Sequence, residues 1–252
     1  MNRKLLSIIT PVFNDLENLK KTFHTIQEKN ELTEHVIIDG NSKDGSFDFA
    51  KNLEFKGFAK VFTQKSQTFY GAFNEALKQE SGEYVIFLCC GDILKIEKVL
   101  SLIKKYSNFD IIAASCSQKV DDHENIYLRS KRPKISIFST SILHSSLIIK
   151  SSIYRKVNLF DESLTVSSDV DCVIKMIKAG AKIKYSDEII CHMEEYGVSK
   201  NQYLRKIIDH SIIKYRHVGL LSFFVYIPKR ILLDFILIPL WIIYKNTLSP
   251  KK

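Results

Sequence analysis

Three short polar segments follow apolar, β-branched runs and are the first candidates for a binding site. They cover residues 10–14, 39–42 and 91–92 and carry hydroxyl, amide and carboxylate groups. In an open α/β sheet, ligands bind beyond the carboxyl ends of the strands. If the three apolar runs are strands of one such sheet, the segments lie on one rim and form a polar binding site there.

Two common phosphate-binding motifs are missing from the sequence. No Gly-x-Gly-x-x-Gly segment follows a predicted strand, which argues against a dehydrogenase of the Rossmann type. No Gly-x-x-x-x-Gly-Lys-Ser/Thr segment occurs, which argues against a P-loop ATPase. The polar rim therefore belongs to another kind of site.

Alternating strands and helices must position this rim. The apolar runs predict strands over 5–10, 35–39, 59–63, 84–88 and 110–115. Helical spacing of apolar residues predicts helices over 16–28, 46–55, 69–78 and 96–106. Beyond residue 115 we expect extended segments and loops over 120–150, helices over 168–178 and 201–214, and a strand over 182–186. The alternation is typical of βαβ units and predicts an α/β fold with a mostly parallel sheet flanked by helices.

Composition indicates a globular protein that folds without covalent staples. The chain has 252 residues, of which 45% are hydrophobic, with 9 Gly and 5 Pro. A chain of this length buries a full core. Its five cysteines include no Cys-x-x-Cys pair, which argues against a disulfide framework or a structural zinc site. Scattered cysteines are typical of a reducing cytosol.

Positive charge is concentrated at the C-terminal end of the chain. Of the net charge of +9, residues 200–252 contribute +8, with ten basic and two acidic side chains. The preceding 199 residues are nearly neutral, which is not typical of a nucleic-acid-binding protein. We therefore expect no nucleic-acid partner and divide the chain into a domain over 1–200 and a basic tail over 201–252.

The tail also contains a long apolar stretch over residues 218–244. Lys229, Arg230 and Asp234 interrupt it, and each charge costs about 2.5–3.5 kcal/mol at the centre of a bilayer. Either half alone, roughly ten residues long, is too short to cross a membrane. Aromatic residues such as Trp241 and flanking lysines suit helices that lie in the surface of an anionic membrane. A helix pair packed on the body, or a contact between copies in a homo-oligomer, is the alternative.

Four ordered motifs give the sequence a resemblance to a known family. They are Ser-Ile-Ile-Thr-Pro-Val-Phe-Asn at 7–14, Val-Ile-Ile-Asp-Gly-Asn-Ser-Lys-Asp-Gly-Ser at 36–46, the segments 72–76 and 81–92, and Ser-Asp-Val-Asp at 168–171. Together they resemble the family 2 glycosyltransferases of the GT-A fold, which use sugar nucleotides to build bacterial surface polysaccharides. The resemblance covers residues 5–200 and implies a role in capsule, O-antigen or exopolysaccharide synthesis.

The resemblance implies a nucleotide-diphosphate sugar, in the first place a UDP-sugar, as the donor. Asp39 would accept the N3–H of uracil, which favours uridine, unless Asp39-Gly40 is only a turn. Thr10, Pro11 and Phe13 would line the pocket for the base and ribose, although packing at the end of a strand is an alternative for them. Asn74 would face the donor, unless it is simply an exposed helix residue.

The resemblance also implies a divalent cation, Mg²⁺ or Mn²⁺, that stabilises the leaving diphosphate. Asp92 would hold this cation, unless Gly91-Asp92 is only a turn. The family usually has Asp-x-Asp here, and this chain has Cys90-Gly91-Asp92, so the first carboxylate is absent. His192 would contact the diphosphate or the metal, and a satisfied core histidine is an equal alternative.

Asp169 matches the catalytic base of the family. In an inverting single displacement, such a carboxylate removes the proton of the acceptor hydroxyl as that hydroxyl attacks the sugar. Asp171 is a second candidate base, and helix capping by either aspartate or by Ser168 is the structural alternative. His144 would face the acceptor.

The acceptor is expected to be a lipid-linked glycan, because a membrane-bound tail brings the site close to such a substrate. The enzyme would then be peripheral, on the cytoplasmic face of the plasma membrane. A catalytically degenerate scaffold that binds sugar nucleotides stays open, since acids are missing at positions 90 and 168. A sugar-phosphate nucleotidyltransferase also stays open, although residues 11–15 contain no Gly, Lys or Arg.

Deleting residues 218–252 is expected to release the protein from vesicles that contain anionic lipids. Binding of the full chain should weaken as salt rises, because salt screens the attraction between lysines and lipid headgroups. Co-sedimentation of both forms with vesicles measures this. Full-length protein that resists salt and requires detergent for extraction would contradict surface binding and indicate insertion.

Overall fold

The computed structural model describes residues 4–24, 30–119, 126–128, 143–193 and 202–220. The strands of these ranges are β1 Lys4–Val12, β2 Thr33–Asp39, β3 Lys60–Thr63, β4 Gly82–Phe87, β5 Ile93–Leu94, β6 Ile111–Lys119, β7 Ile126–Leu128, β8 Leu147–Lys150 and β9 Ile183–Met193. The helices are α1 Leu16–His24, α2 Ser46–Phe55, α3 Phe69–Ala76, α4 Ile96–Lys105, α5 Ser151–Lys156, α6 Ser168–Lys178 and α7 Tyr203–Val218. A 3₁₀ turn covers His144–Ser146.

The strands form one mixed sheet in the order β3-β2-β1-β4-β8-β6-β9-β5, with β7 paired to β6. Strands β3, β2, β1 and β4 are parallel to one another, as the sequence predicts. Strand β8 is antiparallel to both β4 and β6, and β5 is antiparallel to β9. The α/β class is confirmed, but the second half of the sheet is mixed because β8 enters it from the rim at which β4 ends.

Apolar residues cover both faces of the sheet. Along β1, Leu6, Ile8 and Val12 pack with α1, α2 and α4, whereas Ile9 faces the cluster formed with α3, α5 and α6. Strands that are buried on both faces read as continuous apolar runs, which explains why β1, β2 and β4 are so apolar in sequence. The polar residues that follow these strands therefore lie at the rim of the sheet, outside both apolar layers.

Helix α7 packs against the domain, although the sequence places it in the tail. Nζ of Lys178 in α6 donates to the backbone carbonyl of His217 in α7 at 3.0 Å. Arg216 of α7 pairs with Asp161 at 2.5 Å. Residues 203–218 therefore continue the body beyond the expected boundary at 200. The remaining predicted tail, from residue 221 on, lies outside the described residues. Within the described ranges, no helix has the length and apolar character needed to span a bilayer.

Candidate active site

The loops that follow β1 and β2 are tied into one unit at the rim. The backbone N–H of Asn14 donates to the Ser42 hydroxyl at 2.9 Å, and the backbone N–H of Lys43 donates to the Asn14 side-chain oxygen at 2.7 Å. Asn14 has a φ of 49°, a left-handed conformation that asparagine tolerates better than most residues. The two loops consequently hold Phe13 and Asp39 in a fixed relation.

Asp39 lies at the end of β2, where its side chain is fully buried and one carboxylate oxygen is unpaired in the described chain. Its Oδ2 accepts the Ser42 backbone N–H at 2.9 Å, whereas its buried Oδ1 has no hydrogen-bond partner in the described chain. A buried acceptor without a donor costs about 1–3 kcal/mol. Phe13, which is 66% exposed, lies over the backbone of Gly40, where a Cβ atom would come within 3.2 Å of its ring. The site thus offers an acceptor beside an exposed aromatic face.

Thr10 does not offer its side chain to this pocket. It is fully buried, and its hydroxyl oxygen lies 2.9 Å from Nε2 of His35. Burial lowers the pKa of His35 to about 3, so the ring is neutral and pairs with Thr10 inside the core. Side chains alternate along a strand, and Thr10 shares the face of Ile8 and Val12. The structure supports packing at the strand end for Thr10 rather than a lining role for its side chain.

Cys90 connects the end of β1 to the loop that follows β4. Its thiol lies 3.5 Å from the carbonyl oxygen of Pro11, which is partly exposed at the end of β1. Cys90 stands two residues before Asp92. The ends of β1, β2 and β4 are therefore parts of one continuous rim, as the sequence predicts.

Asp92 follows a tight turn that is anchored to α1. Gly91 has a φ of 93°, and its backbone N–H donates to the Thr22 hydroxyl at 2.8 Å. The Asp92 side chain is 3% exposed, and its Oδ2 accepts a hydrogen bond from the Ser145 hydroxyl at 2.8 Å. This bond fixes the orientation of the carboxylate at the rim.

The residues around Asp92 fit a divalent cation whose other oxygen ligands come from a bound substrate and from water. Among the residues described, no three or more His, Cys, Asp or Glu side chains are grouped to bind a metal. Cys90 occupies the place of the missing carboxylate, and burial raises the pKa of its thiol, so it stays protonated. A neutral thiol is a poor ligand for a hard cation such as Mg²⁺. Asp92 would therefore hold Mg²⁺ or Mn²⁺ together with oxygen atoms from a diphosphate and water.

His192 lies in a setting that disfavours a metal ion. It is paired across β5 and β9 with Ile93, and its Nδ1 contacts the hydroxyl of Ser117. Burial, and then the positive charges of Lys95 and Lys98, lower the pKa of His192. The structure favours the alternative of a histidine that is satisfied within the sheet.

Asp169 lies in the first turn of α6 and does not cap the helix. The N-cap residue is Ser167, and in the described chain it carries no side-chain capping bond. The hydroxyl of Tyr70 lies 3.1 Å from Asp169 Oδ1 and 2.8 Å from the Val166 carbonyl oxygen. Burial, and then the charge of Asp169, raise the pKa of Tyr70, so Tyr70 remains a hydrogen-bond donor. Asp169 Oδ2 lies 4.0 Å from His144 Nδ1, and the carboxylate is 17% exposed.

Asp171 is directed to the other side of α6. Its carboxylate is fully buried, with Oδ1 at 2.7 Å from Nε2 of His217 and Oδ2 at 2.6 Å from Nζ of Lys175. Oδ1 therefore contributes to the contact between α6 and α7, whereas Oδ2 pairs within α6. Of the two candidate bases, the structure leaves Asp169 as the one that reaches the rim.

The 3₁₀ turn His144–Ser146 brings Asp92 and Asp169 together. Ser145 binds Asp92, and the adjacent His144 faces Asp169. The turn immediately precedes β8, whose antiparallel entry beside β4 puts the start of that strand at the rim. The carboxylate of Asp92, in the loop after β4, and that of Asp169, in α6, therefore share one polar cluster.

Asn74 stabilises the loop before α6 instead of facing the rim. Its side-chain oxygen accepts the Phe160 backbone N–H at 2.9 Å, and its side-chain nitrogen donates to the Phe160 carbonyl at 3.0 Å and to Glu162 at 3.1 Å. Glu162 also accepts bonds from the hydroxyls of Ser66 and Thr68, both at 3.0 Å. The predicted contact with a donor is therefore replaced by a positioning role.

Helix α7 fixes the other end of the same loop. Asp209 Oδ2 accepts the backbone N–H groups of Val166 at 2.7 Å and of Ser167 at 3.0 Å. These residues directly precede α6, so α7 helps to set the position of Asp169.

The sequence profile of a protein family identifies the family of this chain. Residues 7–170 match the sequence profile described as Glycosyl transferase family 2. The chain belongs to glycosyl transferase family 2. Asp39, Asp92 and Asp169 all lie within the matched residues, and the family that the sequence resembles is confirmed.

Relatives of this family 2 glycosyltransferase are distant. An uncharacterised glycosyltransferase of Rickettsia typhi is 24% identical over 239 residues, which is 83% of this chain and 74% of the relative. The O-antigen chain rhamnosyltransferase WbaN of Salmonella anatum is 23% identical over 211 residues, which is 75% of this chain and 66% of WbaN. Two other Rickettsia relatives are longer, and the chain spans 40% of their length.

Solved structures share the fold. The structure of S. aureus TarS with UDP superimposes with a TM-score of 0.63 at 16% identity, over 84% of this chain and 66% of that one. The mannosyltransferase PcManGT of Pyrobaculum calidifontis, in complex with GDP-Man and Mn²⁺, gives a TM-score of 0.65 at 16% identity, over 86% of this chain and 65% of that one. These likenesses confirm the expected GT-A fold of the glycosyltransferase.

Sequence reasoning missed two side chains of the site. Tyr70 is part of the apolar face of α3, and only its hydroxyl reaches Asp169, so helical spacing alone assigns it to the core. Ser145 belongs to a polar group of three residues before an apolar run, which gives a weak signal of a turn at a strand start. The position of neither residue in the sequence indicates which carboxylate it contacts.

Replacing Asn74 by alanine is expected to destabilise this glycosyltransferase by at least about 1–3 kcal/mol, because the N–H and C=O of Phe160 lose their partners. Thermal or urea unfolding measures the change. Asn52→Ala, at an exposed position of α2, is the matched control and should change stability by less than about 0.5 kcal/mol. A stable Asn74→Ala variant with weakened donor binding would contradict the positioning role.

Proposed function

We propose that this chain is an inverting glycosyltransferase that moves one sugar from a UDP-sugar to a hydroxyl group of a lipid-linked glycan. The observation that carries the proposal is the turn at residues 144–146, which joins Asp92 to Asp169 on the rim that also holds Asp39. A donor that spans this rim meets, in order, an acceptor for its base, a carboxylate near its diphosphate and a carboxylate near its sugar.

The unpaired oxygen of Asp39 supports uridine as the nucleoside. Uracil has a single N3–H, which one carboxylate oxygen can accept. Guanine presents two adjacent N–H groups that would engage both oxygens, so Oδ2 of Asp39 would have to accept a second hydrogen bond beside that from Ser42. The exposed ring of Phe13 offers a face on which the base could stack. The complexes of TarS with UDP and with UDP-GlcNAc are consistent with this choice.

Asp92 would hold the divalent cation. When bound, Mg²⁺ or Mn²⁺ would stabilise the negative charge on the departing diphosphate. Ser145 contributes by keeping the Asp92 carboxylate in one orientation. The Mn²⁺ in the complex of PcManGT supports a divalent cation for this family.

Asp169 would act as the base. The oxygen of the acceptor hydroxyl forms a bond to the anomeric carbon, the bond from that carbon to the diphosphate breaks, and Asp169 takes the hydroxyl proton. Attack opposite the leaving group inverts the anomeric configuration. Tyr70 donates to Oδ1 of Asp169, which limits rotation of the carboxylate.

The basic, apolar segment beyond residue 220 supports an acceptor at a membrane. Its lysines and aromatic residues suit the anionic cytoplasmic face of the plasma membrane, where lipid-linked glycans are extended. The relation to an O-antigen chain rhamnosyltransferase is consistent with synthesis of a surface polysaccharide. Both features lead us to propose a peripheral membrane enzyme.

Replacing Asp169 by asparagine is expected to lower sugar transfer by about 10²–10⁴-fold, because the amide cannot take the hydroxyl proton. UDP affinity should stay within about threefold, since Asp39 and Asp92 are intact. UDP release from UDP-Glc, UDP-Gal and UDP-GlcNAc with Mn²⁺ measures turnover, and calorimetry measures UDP binding.

Asp171→Asn is the matched control, since this carboxylate faces α7, and it should retain activity after correction for folded protein. Transfer that persists in Asp169→Asn would remove Asp169 from the base role. Wild-type protein that binds UDP but releases none from any donor, even with lipid-linked glycans present, would instead favour a non-catalytic scaffold.

A further inference from the structure

His144 stands between the base and a buried thiol. Its Nδ1 lies 4.0 Å from Asp169 Oδ2, and its Nε2 lies 3.2 Å from Sγ of Cys89. The ring packs edge-on against Phe73 with a centroid distance of 6.0 Å and is 26% exposed. Both ring nitrogens therefore face a named side chain, and the contact with Phe73 restrains the ring.

The chemistry of the two neighbours sets the position of the imidazole proton. An ionised carboxylate accepts hydrogen bonds and cannot donate, so a hydrogen bond to Asp169 requires the hydrogen on the nitrogen that faces it. In a neutral imidazole the other nitrogen is then an acceptor, to which the Cys89 thiol can donate. The thiol Sγ lies 3.2 Å from Nε2, within the range of such a bond.

We propose that His144 is a positioning residue for the base: its Nδ1–H, held in that tautomer by Cys89, orients the Asp169 carboxylate for proton removal. The inference rests on the proposed function, because it assigns a partner to the same base. Tyr70 donates to one carboxylate oxygen, and Nδ1 of His144 lies 4.0 Å from the other. The distance of 4.0 Å exceeds a hydrogen bond, and contacts of this kind often tighten only when substrate binds.

The same turn couples the two halves of the site. His144 faces the base, and the next residue, Ser145, donates to Asp92. A shift of the turn therefore moves both side chains, so the orientation of the base depends on the carboxylate near the diphosphate. This arrangement explains why a polar turn is buried at the rim.

Nitrogen-15 NMR of selectively histidine-labelled full-length protein tests the tautomer without any activity assay. We expect His144, assigned by the loss of its signal in His144→Asn, to show a protonated Nδ1 and an unprotonated Nε2. Cys89→Ala and Asp169→Asn should each alter this pattern. Asp171→Asn is the matched control and should change only His217, the partner of Asp171. A protonated Nε2 at His144, or a His144 signal that ignores Asp169→Asn, would overturn the proposal.

A pair of substitutions separates the two contacts kinetically. The side-chain nitrogen of asparagine can replace Nδ1, and that of glutamine replaces Nε2. With the donor that the wild type uses best among UDP-Glc, UDP-Gal and UDP-GlcNAc, His144→Gln should lower kcat by about tenfold or more, as the loss of an orienting partner does. The KM for the donor should stay within about threefold, and His144→Asn should retain most of the wild-type kcat.

Equal kcat values for His144→Asn, His144→Gln and the wild type would overturn the positioning role and leave the proposed function intact. Equal losses in both folded variants would also contradict it, because they would indicate a structural role. If the wild type releases UDP from none of the donors, the proposed function fails, and the NMR result alone decides whether His144 positions Asp169.

Discussion

The site depends on the hydrogen bond between Ser145 and Asp92 and on the neighbouring contact between His144 and Asp169. Asp92 follows a strand in the first half of the sheet, and Asp169 opens a helix that follows the second half. The 3₁₀ turn links these two carboxylates through Ser145 and His144. The turn reaches the rim because β8 runs antiparallel to β4, so the start of β8 meets the end of β4.

Further layers of contacts hold this cluster in place. Asn74 fixes Phe160, Glu162 joins that loop to the loop after β3, and Asp209 fixes the residues just before α6. Asn74 and Asp209 are polar and buried, so each must keep its partners or lose stability. They explain why α7 belongs to the catalytic body although its composition resembles that of the tail. The site therefore needs only a few carboxylates, because neighbouring residues hold them in position.

Much of the fold could be predicted from the sequence because local signals were strong. The helices over 46–55 and 168–178 have the predicted bounds, and the strands that end at the rim are long apolar runs buried on both faces. The direction of β8 could not be predicted, since a four-residue strand with three apolar residues gives no signal of its orientation. The alternation of strands and helices correctly put Asp39 and Asp92 on one rim, at or after the ends of strands. The family resemblance did not reveal the orientation of Thr10 or Asn74, because side-chain alternation and loop contacts decide these in three dimensions.

In the proposed function, one nucleotide sugar bridges Asp39, Asp92 and Asp169. A crystal structure of the full chain with UDP and Mn²⁺ would show whether it does. We expect uracil beside Phe13 with its N3–H on Asp39 Oδ1, the cation on an Asp92 oxygen and on the diphosphate, and Asp169 facing open space beyond the terminal phosphate. UDP bound away from Asp39, or a cation without contact to Asp92, would rule this arrangement out.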